Sequence, residues 1–123
     1  MKYNKTLKLA QIELQSSKIW KTNYEPPYLK FLYTLGVKAI PPHYKSFKEN
    51  LLHDSIGMGA GTLIVLFIWL SLSKVENTIF EVLISSLFIG AIFGLFMGFL
   101  SALYYLLSAK SNKLSTWFQL QNK

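Results

Sequence analysis

Side chains able to hold a proton, a metal or a nucleophile are few, and most precede residue 55. Glu49 and His53 stand at i and i+4, a spacing at which two ligands on one helical face can share a metal ion. Two ligands do not complete a site. Lys45 also reaches Glu49 at i, i+4, so an ion pair or a solvated carboxylate is the expected use of Glu49. His53 and Asp54 are neighbours projecting about 100° apart on a helix, which does not make a catalytic pair. Glu13, Glu25 and His43 are scattered along the chain, and Glu76 and Glu81 lie in a short loop at 74–81. There is no cysteine, no glycine-rich phosphate loop after a strand and no serine elbow; Ser85-Ser86 reads as backbone-satisfying or packing. No catalytic, cofactor or metal residue is assigned, and the chain is expected not to be an enzyme.

The elements that would have to position such groups are dominated by apolar residues. The chain has 123 residues, 51% hydrophobic and only 15% charged, which excludes disorder and bounds it at one ordinary domain. All thirteen basic residues are lysine and the net charge is +7. Without arginine's bidentate fork the basic balance points to a membrane surface and away from nucleic acid. Residues 55–73 and 82–109 carry no charge. As helices they reach about 28 and 42 Å against a hydrocarbon core of about 30 Å. The second holds fifteen Leu, Ile, Val and Phe residues and the first nine, so the first is expected to lean on the second as packing partner.

These counts predict an all-α membrane protein: a two-helix transmembrane hairpin with a short helical, basic arm. The expected parts are an arm (1–54), a first span (55–73), an external loop (74–81), a second span (82–109) and a basic amphipathic tail (110–123). Lysines number nine before residue 55, one in the loop and three after residue 109. By the positive-inside rule both termini are cytoplasmic. Lysines interrupt residues 1–21 throughout, so no cleavable signal peptide is expected and the first span targets itself.

In the arm, Leu7, Ala10, Leu14 and Ser17 give a weak helical stripe between residues 4 and 20. Pro26-Pro27 breaks the chain, and Pro27 suits the first position of a new helix that Gly36 would close. Tyr28, Phe31, Leu32 and Leu35 share a face of that helix. Either it lies among headgroups or it packs in a small cytoplasmic bundle. The surrounding lysines favour the headgroups, with Trp117 and Phe118 of the tail in the same interfacial role. After Pro41-Pro42, residues 43–54 are expected to run helically into the first span.

Glu25-Pro-Pro-Tyr-Leu-Lys-Phe-Leu-Tyr-Thr-Leu-Gly36, then Ile40-Pro-Pro-His-Tyr-Lys-Ser-Phe47, then a glycine-rich apolar span, resembles a family of small two-span bacterial membrane proteins of unknown function, domain-of-unknown-function family six-four-zero-four. The resemblance covers most of the chain. It implies the architecture and supplies no activity, cofactor or catalytic residue.

Six of the seven glycines lie inside the spans, where each costs about 1 kcal/mol relative to alanine. Ser86, Gly90, Gly94, Gly98 and Ala102 recur every four residues, and Gly57 and Gly61 form a shorter stripe. Such grooves let helix backbones approach closely in a bilayer. A symmetric hairpin would set Gly57 level with Gly98 and Gly61 with Gly94, leaving Gly59, Gly90 and Ser86 for a second chain. No ionisable residue lies inside either span, which argues against a proton relay. The functional expectation is a bacterial inner-membrane protein acting through association with itself or a larger membrane partner, its lysines meeting anionic lipid headgroups. The alternative is a holin-like, membrane-permeabilising protein, weakened by serines (Ser71, Ser73, Ser85, Ser86, Ser101) that do not align through the bilayer.

Overall fold

The structure is a computed structural model that describes residues 2–73 and 77–123; the start of the expected loop, residues 74–76, lies outside them. All regular structure among the described residues is helical: α1 (Lys2–Ser16), α2 (Lys21–Tyr24), α3 (Pro27–Thr34), a 3₁₀ turn (Pro42–Tyr44), α4 (Phe47–Leu72), α5 (Ile79–Ser111) and α6 (Trp117–Gln121). The chain forms two compact units where its length suggested one. A head comprises residues 1–46 and 104–123, and a hairpin comprises 47–103. The long α5 contributes residues to both.

The head is a small bundle. In α1, Thr6, Ala10 and Leu14 are buried at intervals of four, and the Thr6 hydroxyl donates to the Lys2 carbonyl at 2.8 Å, so its burial leaves no polar group unpaired. Ala10, Leu14, Tyr44 and Leu120 make the core, with Ile19, Ile40, Leu114 and Trp117 packed against it. Pro27 opens α3, where its missing N–H costs nothing. Gly36, at φ 76°, closes α3: its N–H reaches the Tyr33 carbonyl at 3.0 Å, and the Val37 N–H reaches Leu32 at 3.0 Å. That is a Schellman motif, and its left-handed residue favours glycine. Thr116 and Gln119 cap α6 reciprocally.

The face expected on α3 is largely open, whereas the expectation for the tail changes. The buried residue of α3 is Leu29, while Phe31 and Leu35 are 62% exposed, Tyr28 also faces outward and Leu32 is half-buried. Trp117, expected at the lipid interface, packs inward, its ring centroid 6.0 Å from Tyr3 and 6.1 Å from Tyr44. Leu120, one turn further on, anchors the same face of α6, so the tail joins the bundle while Phe118 stays exposed.

In the hairpin unit, both long helices outrun the charge-free stretches. Helix α4 starts at Phe47 and continues unbroken through Asp54. Helix α5 starts at Ile79 because Thr78 and Glu81 form a capping box: the Glu81 N–H donates to Thr78 Oγ1 at 3.2 Å and the Thr78 N–H to Glu81 Oε2 at 3.0 Å. At 26 and 33 residues they extend about 39 and 50 Å. Each is long and apolar enough to cross a membrane, with mean hydropathies of 1.9 and 2.3 over their best windows.

Candidate functional site

The glycine groove of α5 is where the two long helices meet. Ser86, Gly90, Gly94, Gly98 and Ala102 are all buried, one per turn, as are Val82 above them. Against them lie Ser55, Gly59 and Leu63 of α4, also four apart. A β-carbon added to Gly94 would stand 2.7 Å from the Gly59 Cα and 2.7 Å from the Ser55 carbonyl oxygen. One on Gly98 would meet Ser55 Oγ and stand 2.6 Å from the Ser55 nitrogen. At Gly90 the approach is looser, 3.1 Å to the Gly59 carbonyl oxygen and 3.4 Å to the Leu63 side chain. Backbones in such contact gain dispersion over their whole length, which replaces the hydrophobic drive that a lipid surround would lack.

This corrects the expected register. The pairs are Ser55 with Gly98, Gly59 with Gly94 and Leu63 with Gly90, two residues away from the symmetric estimate. Two residues turn a helix by about 200°, so α4 presents the opposite face. Gly59 and Gly90, expected to serve a second chain, close the hairpin instead. Gly57 and Gly61 meet nothing within 4 Å of a built β-carbon. The physical reason lies at the start of α4. Ser101 Oγ donates to Asp54 Oδ2 at 2.6 Å, and the rings of Phe47 and Phe99 meet edge to face at 5.8 Å. Both contacts need the Ser55–Gly59 side of α4 turned toward α5.

Asp54 also holds His53, whose Nδ1 lies 3.0 Å from Asp54 Oδ1. The neighbours therefore do meet, their side chains bending together although their Cβ directions diverge. In a hydrolytic triad the imidazole stands between hydroxyl and carboxylate. Here the carboxylate stands between hydroxyl and imidazole, so Ser101 gains no strong base. The arrangement is a clamp.

With Gly59 taken, Gly57 and Gly61 line an open groove of about 390 Å³ on α4, together with Met58, Thr62, Val65 and Leu66. Two hydroxyls near the interhelix contact, Ser55 Oγ and Ser86 Oγ, are buried without a hydrogen-bond partner.

The head holds two polar centres that sequence reading missed. Glu13 Oε1 accepts from the Ser115 N–H at 2.7 Å and from the Ser115 hydroxyl at 2.9 Å, and Oε2 accepts from Tyr44 at 3.0 Å. Burial, then the Glu13 carboxylate beside it, pushes the Tyr44 hydroxyl well above the ordinary tyrosine range. His43 is buried between Tyr104 and Tyr105, ring centroids 6.1 and 5.0 Å away, with Nε2 3.2 Å from Ser108 Oγ and Nδ1 unpaired. Burial lowers its pKa to about 4, so at neutral pH it is an uncharged core residue. No sequence signal links residues so far apart.

The sequence matches a family model over residues 1–120, nearly the whole chain. The chain belongs to DUF6404, a family of unknown function. No curated protein and no solved structure matches it. Membership in DUF6404 therefore agrees with the resemblance seen in the Pro-Pro segments and assigns no role to any residue.

Proposed function

We propose that this protein is a small integral membrane protein whose α4 and α5 cross the bilayer as an antiparallel hairpin, and that it acts without catalysis, by helix–helix association with a second copy or a larger membrane partner. Membrane insertion is supported by what covers the helices. A soluble fold of this length would have to bury two such helices, yet the most apolar window of α4 has no buried residue and that of α5 is 28% buried. Ile64, Val65, Ile68 and Trp69 are all more than half exposed. Hydrocarbon is the solvent that suits them. On this reading the lysine-rich flanks place both termini in the cytoplasm of a bacterium and the loop at 74–81 outside the inner membrane.

The observation that carries the association reading is the open groove at Gly57 and Gly61. Helix-interior glycines that meet nothing in their own chain cost about 1 kcal/mol each without return, and a neighbouring helix is what such a surface accommodates. The experiment is oligomer sizing and mass-spectrometric co-purification in mild detergent for the parent chain and for Gly57→Leu with Gly61→Leu. Filling the groove is expected to abolish the association while leaving the hairpin closed, because neither side chain meets α5. Undiminished association of the double variant would contradict the reading. Growth arrest with loss of membrane potential on overexpression would favour the permeabilising alternative.

A further inference from the structure

Charge is divided sharply between the two units. The head carries eleven lysines against Glu13 and Glu25, a side-chain charge of +9, and the hairpin carries −2. A +9 head covalently joined to membrane-spanning helices stays within reach of the bilayer surface. It also shows an apolar face. Phe31 and Leu35 are each 62% exposed and Val37 is 46% exposed, on a short helix held rigid by Pro27 at one end and the Gly36 motif at the other. Lys30 and Lys38 bracket that face in sequence, Lys30 lying 4.0 Å from Glu25 at its rim.

We propose that the folded head docks on anionic lipid headgroups through this α3 face, with Phe31, Leu35 and Val37 entering the acyl boundary and Lys30 and Lys38 meeting the phosphates. The occupant follows from charge complementarity: a surplus of nine positive charges, spread over the head, matches an extended anionic sheet better than a single acidic pocket. Rigid caps mean that docking orders little additional chain, so its entropic cost is small. The proposal differs from an unfolded amphipathic arm, since the core of Ala10, Leu14, Tyr44 and Leu120 stays intact on the membrane. It rests on the reading of α4 and α5 as spans.

The absence of native cysteine makes the test direct. The full chain, with a single spin label at Phe31→Cys or at Val65→Cys, is placed in nanodiscs containing phosphatidylglycerol or phosphatidylcholine alone. Accessibility to oxygen and to a water-soluble nickel complex is then measured. The Phe31 label is expected to move from water into the boundary only in the phosphatidylglycerol discs, and to return to water at high salt. Lys30→Gln and Lys38→Gln should each lower the docked-to-free ratio about fivefold. A Phe31 label that stays aqueous in anionic discs while the Val65 label reports lipid overturns the docking and leaves insertion standing, freeing the face for an acidic protein. Equal burial of the Phe31 label in both lipids, without salt response, also overturns it. An aqueous Val65 label overturns insertion and docking together.

Discussion

Gly94→Ala and Gly57→Ala are the same chemical change on two faces of one hairpin, and the structure gives them opposite signs. At Gly94 the new methyl would sit 2.7 Å from the Gly59 Cα and from the Ser55 carbonyl oxygen. The shortest ordinary contact is 3.4 Å, so the helices must part by roughly 0.7 Å, and backbone cannot swing aside as a flexible side chain can. Separation loosens the Gly90 and Gly98 contacts as well. Overpacking of this kind costs about 1–3 kcal/mol, which exceeds the gain of about 1 kcal/mol from replacing a helical glycine. At Gly57 nothing lies within 4 Å, so only the helical gain remains. The assay is dodecyl sulfate unfolding of the detergent-solubilised chain, followed by energy transfer between labels at Met58→Cys and Leu95→Cys, both exposed positions. Gly94→Ala should unfold earlier with a lengthened label distance, and Gly57→Ala at or beyond the parent midpoint. If Gly94→Ala matches the parent in both readouts, backbone contact between α4 and α5 is not what closes the hairpin.

Three further outcomes follow from named contacts. Because burial holds the His43 pKa near 4 against 6.5 in the unfolded chain, unfolding takes up a proton between those values; head stability should be full above pH 6.5 and fall toward pH 4, by about 2 kcal/mol once residual solvent contact is allowed for. Thermal midpoints across that window check it, and His43→Gln should flatten the dependence. Glu13→Ala leaves the Ser115 N–H and the Tyr44 hydroxyl without their acceptor and should cost about 2–3 kcal/mol, with faster hydrogen exchange confined first to residues 115–121. Asp54→Ala and Ser101→Ala should each destabilise the hairpin by about 1–2 kcal/mol, and the double variant little more than Asp54→Ala alone, since both remove one bond; additive effects in a double-mutant cycle would disprove that coupling.

Local devices in this chain were readable one residue at a time. Pro27 and Gly36 bound a helix because one cannot donate and the other tolerates positive φ, and the structure ends α3 where those properties require. The groove from Ser86 to Ala102 was readable for a related reason: few helices keep a small residue every four positions unless something lies against it. The rotation of α4 was not. Gly57, Gly59 and Gly61 offer two equally small faces about 200° apart, and the choice is made by Asp54 with Ser101 and Phe47 with Phe99, partners roughly fifty residues apart. Trp117 shows the same limit from the side of chemistry. An aromatic beside lysines suits a headgroup layer and a small core alike, and only the arrival of Tyr3 and Tyr44 decides between them. Glu13 gave no signal because its three donors come from Tyr44 and Ser115, on segments its own helix does not foreshadow.

Everything proposed for function depends on α4 and α5 crossing a bilayer with their connection on the far side. Single cysteines at Asn77 and Lys123, in a chain that has none of its own, can be tested in intact cells with a membrane-impermeant maleimide. The lysine distribution of nine, one and three leads us to expect labelling at position 77 from outside and protection at position 123 until the cells are permeabilised. Protection at both positions in intact cells, or labelling at position 123 from outside, would contradict the hairpin topology.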